Sequence, residues 1–157
     1  MREIRAIALD VDGVLTDGGF WWGPNGEEWK RFCFADIMGV SLALKAGLLV
    51  TLISGEDSPL VDRYAAKFKL TDITKGCKDK AQALCSYAAR NACDLQHICF
   101  MGDDVNDLPA MTIAGLAAAP ANAHPQALAQ AQFVATRNGG NGAVRELVDA
   151  ILAARIA

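Results

Sequence analysis

The feature that most constrains this chain is a series of short, unbroken apolar runs, each followed by a turn and then a segment with helical spacing. Arg5–Leu9, Leu48–Ile53, Ile98–Met101, Leu116–Ala119 and Phe133–Ala135 carry the clearest runs, with a further short strand expected over Thr71–Thr74. A strand with one wet face alternates apolar and polar residues, whereas a strand covered on both faces does not. Helices are expected over Asp36–Ala46, with Gly47 as a C-cap, and from Pro59 to about Phe68 behind an N-capping Ser58. Further helices are expected over Asp79–Asn91 and Leu108–Ala114, and from near Gly142 almost to the end. Strands alternating with helices in this way predict an α/β fold, a parallel sheet in three layers.

A chain of 157 residues suffices for one domain, here residues 1–157, with a substantial core. Hydrophobic residues make up 52% and charged residues 21%, which excludes a disordered chain. The net charge of -3 comes without any basic stripe, which argues against nucleic acid as a partner. Arg2, Glu3 and Arg5 lead straight into a short strand-like run, unlike a secretory leader, and no apolar stretch is long enough to span a membrane. The five cysteines form no C-x-x-C pair, so reduced thiols in a cytoplasmic setting are expected.

Chemistry concentrates where the apolar runs end. Asp10 and Asp12 follow the first, Ser54 the second, and Asp103 with Asp104 a later one. Ligands of parallel α/β sheets lie at the carboxyl ends of the strands. An isolated D-x-D is commonly a solvated acidic turn, Lys80 alone a solvated helix-start lysine, Ser54 alone a turn former, and Asp107 alone a helix-dipole acid. Their joint appearance in one order favours a divalent cation and a phosphate.

Asp10-Val11-Asp12-Gly13-Val14, Leu52-Ile53-Ser54-Gly55, Lys80 in Lys78-Asp79-Lys80, and Gly102-Asp103-Asp104-Val105-Asn106-Asp107 together resemble the four motifs of the haloacid dehalogenase superfamily. The resemblance covers essentially the whole chain and implies a Rossmann-like sheet. It implies that Asp10 attacks phosphorus, that Asp12 serves as acid and then base, and that Ser54 and Lys80 bind the phosphoryl oxygens. It further implies Mg²⁺ held by Asp10, the backbone carbonyl of Asp12 and Asp103, with Asp104 and Asp107 supporting metal-bound water and Lys80. The gaps between motifs are too short for a cap domain, so the likeness narrows to the capless branch acting on phosphorylated sugar acids.

Residues 18–34 read as a β-hairpin around Pro24-Asn25-Gly26, rich in aromatics at Trp21, Trp22, Trp29, Phe32 and Phe34. These either fold back onto the core or pack against another subunit. The branch resembled forms homotetramers through such hairpins, with neighbouring subunits closing the site. Gly139 to Glu146 resembles the branch's C-terminal glycine-rich loop.

Two substrates are known for this scaffold, 2-keto-3-deoxynononate 9-phosphate and 3-deoxy-D-manno-octulosonate 8-phosphate. Glu56, beside Gly55, resembles the nononate enzymes, whereas the octulosonate enzymes commonly carry arginine there. A carboxylate at that position suits hydroxyl or amino groups of a longer sugar, and Lys67 is the candidate partner for the substrate carboxylate. Tyr64 departs from the basic residue of the nononate group, and Glu56 and Lys67 are alternatively ordinary surface charges. The reading favours the nononate substrate, with the octulosonate as the alternative. A phospho-accepting receiver domain is the non-enzymatic rival; it would place its acceptor aspartate after a middle strand and lacks a hairpin.

Overall fold

Strand β1 (Ala6–Leu9) forms the middle of the site-bearing half of a five-stranded parallel sheet. The computed structural model describes residues 1–156. After β1 come the hairpin strands β2 (Trp21–Trp22) and β3 (Glu28–Trp29), helix α1 (Phe34–Lys45), β4 (Leu49–Leu52) and α2 (Pro59–Phe68). Then follow α3 (Lys80–Arg90), β5 (Ile98–Met101), α4 (Leu108–Ile113), β6 (Leu116–Ala119), α5 (Pro125–Gln130), β7 (Phe133–Val134) and α6 (Ala143–Ile156). The order across the sheet is β4-β1-β5-β6-β7.

Successive side chains of a strand face opposite ways, and both directions are apolar here. Ile7 and Leu9 of β1 join Val40, Leu147 and Ile151 in one core layer, while Ala6 and Ala8 join Leu84, Phe100 and Met111 in the other. This double coverage is why the strands read as continuous apolar runs. Asp36 of α1 is buried and accepts hydrogen bonds from the N–H groups of Gly142 (3.0 Å) and Arg145 (3.0 Å), so one helix caps the start of another.

Two local readings change. Thr71–Thr74 is not a strand, because only Thr74 bridges to Ile53. Asp72 is drawn toward the end of α3 instead, where it accepts hydrogen bonds from Arg90 (2.6 Å) and Asn91 (2.9 Å). Helix α5 was not expected. Its start signal is Pro125 at the first position behind His124, whose Nδ1 accepts from the Gln126 N–H, and histidine is not among the residues that usually mark a helix start.

The hairpin is brief: Trp21 pairs with Trp29, and Trp22 with Glu28. Of its aromatics, Phe32 packs on Tyr64 with ring centroids 4.8 Å apart, whereas Trp21, Trp22 and Trp29 stand exposed, Trp22 at 74%. The fold-back reading therefore holds only for Phe32. Between Asp12 and Ser54 the chain adds this hairpin and α1, and between Ser54 and Lys80 it adds α2, so no cap layer exists among the described residues. No helix among them is long and apolar enough to cross a membrane.

Candidate active site

The strand register brings the motif residues together. Leu9 lies level with Leu52 of β4 on one side and Met101 of β5 on the other, so three neighbouring strands end in one row. Asp10, Ser54 and Asp103 follow those ends within two residues. The Asp10 N–H donates to the Met101 carbonyl (3.0 Å), which keeps Asp10 in register with the sheet after β1 has formally ended. Beyond it the chain coils tightly: the Val11 carbonyl accepts from the N–H groups of Leu15 (2.9 Å) and Thr16 (3.1 Å). This turn brings Asp12 to the same cleft as Asp10, which a continuing strand would not do. Gly13 adopts φ +89, and a methyl group there would overlap the Asp103 carboxylate, so only glycine lets the two loops approach.

Lys80, at the first residue of α3, points into this row with a side chain only 2% exposed. Its Nζ donates to Asp10 Oδ1 (2.9 Å) and Asp107 Oδ1 (2.6 Å). Asp107 is fully buried, and its Oδ2 accepts from the N–H groups of Asp103 (2.8 Å) and Asp104 (3.2 Å). One carboxylate thus fixes both the lysine and the loop that carries Asp103. Asp104 turns its side chain to the Val105 N–H (2.7 Å) and borders the cleft.

The charges do not balance. Oxygens of Asp10, Asp103 and Asp107 lie within 4.8 Å of one another, and the Lys80 ammonium bonds two of these three carboxylates. Burial, then the charge of Asp107, raises Asp10 to about 8 despite Lys80. Burial, then Asp107 and Asp104, raises Asp103 to about 6. Lys80 is itself pushed above its ordinary value, because Asp10 and Asp107 outweigh the burial that opposes its charge. An all-oxygen cluster of crowded carboxylates short of positive charge fits a hard divalent cation such as Mg²⁺, which would relieve the repulsion.

The cleft over this row has a volume of about 270 Å³. Asp10, Asp12, Lys80 and Asp103 line it, with Gly55 and Glu56 on the β4 side and Asn106 opposite. Ser54 is fully buried beside them, and its Oγ accepts from the Glu56 N–H (3.1 Å), leaving the hydroxyl proton free to donate. Lys67 does not reach this cleft. It lies with Arg63 on the rim of a separate groove of about 440 Å³, walled by Trp29, Phe34 and Leu60. Tyr64 is buried, its ring packed between Phe32 and Phe68, and forms part of the wall of that groove.

Two contributors escape sequence reading, and a third lies in the glycine-rich segment that the sequence singles out. Thr16 is buried, and its Oγ1 accepts from the N–H groups of Gly13 (3.3 Å) and Gly18 (3.2 Å), holding the turn that carries Asp12. Gly140 donates to the Val14 carbonyl (2.9 Å), so the glycine-rich segment before α6 braces that turn from behind. Lys30 donates to both oxygens of Asp12, at 2.8 and 2.9 Å. Thr16 sits near enough to the D-x-D to have been suspected; Lys30 and Gly140 are brought in by long-range folding.

With this geometry in view, known proteins supply the comparison. The family model for haloacid dehalogenase-like hydrolases matches residues 51–147. The chain is 38% identical over 154 residues to the 3-deoxy-D-manno-octulosonate 8-phosphate phosphatase KdsC of Escherichia coli (strain K12), covering 98% of this chain and 82% of that protein. It superposes with a TM-score of 0.96 and 35% identity on the 3-deoxy-D-manno-octulosonate 8-phosphate phosphatase of Moraxella catarrhalis, solved in complex with a magnesium ion, a phosphate ion and a KDO molecule. That match covers 99% of this chain and 89% of the other. The cobalt-bound form of the deoxy-D-mannose-octulosonate 8-phosphate phosphatase of Haemophilus influenzae aligns with a TM-score of 0.95 and 33% identity, over 98% of this chain and 90% of the other. Carboxylates and one lysine gathered at level strand ends, and relatives that match almost end to end, lead to one conclusion: this chain belongs to the haloacid dehalogenase-like hydrolases and is a phosphoric monoester hydrolase.

Proposed function

We propose that the protein is an Mg²⁺-dependent phosphatase of an eight-carbon 2-keto-3-deoxy sugar acid, of the 3-deoxy-D-manno-octulosonate 8-phosphate type. The observation that carries the chemistry is the convergence of Asp10, Asp103 and Lys80 at level strand ends. For the substrate, support comes from near full-length relatives named for the octulosonate reaction. Asp10, the carboxylate nearest the sheet, attacks phosphorus; its Oδ–P bond forms as the bond to the sugar oxygen breaks. Asp12 gives that oxygen its proton, then removes a proton from the water that cleaves the aspartyl phosphate. Lys80 and the Ser54 hydroxyl place positive charge and a donor where the phosphoryl oxygens gather charge. The cation would be held by Asp10, Asp103 and the Asp12 carbonyl, with Asp104 and Asp107 supporting it and Lys80. When bound it neutralises phosphoryl charge and orients the group for in-line attack.

The nine-carbon substrate remains the second reading, and Glu56 favours it. It borders the cleft beside Gly55, where a hydroxyl-rich tail can donate to its carboxylate. The deciding measurement is kcat/KM with Mg²⁺ on 3-deoxy-D-manno-octulosonate 8-phosphate against 2-keto-3-deoxynononate 9-phosphate. The first is expected to be preferred; the reverse ranking would return the assignment to Glu56 while leaving the phosphatase chemistry standing. Residues 1–157 act as one hydrolase unit in this reading. Residues 18–34 serve assembly into a homotetramer, and Lys67, outside its own cleft, is available to a neighbour's.

A further inference from the structure

We propose that Lys30 of the hairpin is the positioning residue for Asp12. The hairpin is the most exposed part of the molecule, yet the Lys30 side chain is only 3% exposed. Its Nζ sits 2.8 Å from Asp12 Oδ1 and 2.9 Å from Oδ2, at the edge of the strand-end cleft that Asp12 lines, while its stem borders the neighbouring groove beside Trp29. Contact with both oxygens anchors the carboxylate head to one point, so the Asp12 side chain cannot swing to another rotamer without breaking both. Asp12 needs such a partner. It stands on a turn rather than a strand, and its side chain remains 30% exposed.

Lys30 is held in turn. Glu28 Oε1 lies 3.5 Å from its Nζ. The same oxygen accepts from the Ser58 hydroxyl (3.3 Å), and Ser58 caps α2 by accepting from the Leu60 N–H (3.3 Å). Glu28 Oε2 also receives the indole N–H of Trp22 (3.4 Å). The hairpin is therefore moored to a core helix through Glu28, and the mooring sets the Lys30 ammonium over Asp12. A side chain that must meet the leaving oxygen within hydrogen-bond distance gains from being held in one rotamer before substrate arrives.

This inference rests on the phosphatase reading and on the acid–base role of Asp12. The test compares two phosphate esters on the purified protein with Mg²⁺. β-Glycerol phosphate has an alkoxide leaving group that needs a proton, whereas p-nitrophenyl phosphate releases a stable phenolate that does not. Lys30→Met is expected to lower the single-turnover rate of alcohol release from β-glycerol phosphate, the step that precedes the role of Asp12 on water, by about 10²-fold, the scale of one general acid. On p-nitrophenyl phosphate the fall is expected to be several times smaller. Lys30→Arg, which keeps the charge and a fork of donors, should recover most of the difference. Glu28→Gln should show the same leaving-group pattern more weakly, which keeps the inference testable if Lys30→Met perturbs the hairpin. Equal losses on both esters, or no loss, would overturn it. Wild-type protein inactive on every ester tested would instead sink the phosphatase reading itself.

Discussion

The strand-end cluster and the aromatic hairpin obey opposite rules. Around Asp10, three strands pinned in register deliver charged groups into a buried row, and every neighbour comes from the chain's own core. The hairpin has two-residue strands, no core of its own, and indoles facing water. A two-stranded ribbon of this size is marginal by itself. Its moorings are Phe32 on Tyr64, Glu28 on Ser58, and Lys30 on Asp12. The cluster's precision is built by sheet register, while the hairpin's place is set by a few contacts to the cluster and to α2. The first region draws its carboxylates and lysine from one chain; the second is packed on its inner face and exposed on its outer one.

The largest expected effect comes from removing the proposed attacking group. Asp10→Asn preserves shape and removes a buried, repelled charge, so circular dichroism and thermal melting should show an intact or slightly stabilised fold. Activity should fall by at least roughly 10³-fold; normal turnover would show that Asp10 is not the nucleophile. Next is Gly13→Ala. Its methyl group forces Asp103 aside and strains a left-handed residue, so a loss of about 10²-fold in kcat is expected with the hairpin undisturbed. Wild-type rates in that variant would mean that the two loops can separate at no functional cost.

A smaller effect distinguishes the crowded site from the rest of the molecule through pH. Asp10 and Asp103 have folded values, about 8 and about 6, above their unfolded ones. Between the unfolded and folded values the native state holds protons that the unfolded chain has released, so these groups make the metal-free protein lose stability as pH rises through that window. Mg²⁺ held by these carboxylates would favour their ionised form and offset the loss. Its increment in Tm should therefore be larger near about pH 8 than near about pH 5, with roughly 2–4 °C for each kcal/mol at this chain length. An increment independent of pH would remove these carboxylates from the cation site.

The smallest effect on the fold is expected at the outer face of the hairpin. Trp21→Ser with Trp22→Ser removes indoles that touch little of the core, so Tm should move by no more than a few degrees. Light scattering should nonetheless show the proposed homotetramer falling to smaller species. Wild-type protein already monomeric at micromolar concentration would leave the exposed indoles without this role.

Much of the scaffold was legible because it follows local rules. Strands covered on both faces leave continuous apolar runs, and β5 and β6 fall where the runs at Ile98–Met101 and Leu116–Ala119 place them. Ser58 and Pro59 announce the start of α2. The short helix α5 and the loss of the Thr71–Thr74 strand were not legible, because α5 starts behind His124 rather than behind one of the usual capping residues and a side-chain tie to Arg90 overrides a weak strand propensity.

By itself, the sequence determined the fold class, the order of the motifs, and which residue types end which strands, because alternation and turn chemistry are properties of neighbouring residues. Tertiary structure alone decided that Lys30 crosses 18 positions of chain to grip Asp12. It likewise decided that Tyr64 sinks into the core, that Lys67 faces a different groove from Glu56, and that Gly140 braces the catalytic turn. Each of those depends on distances between segments remote along the chain. Those distances are set by the register of the sheet and the packing of helices on it, and no local pattern encodes them.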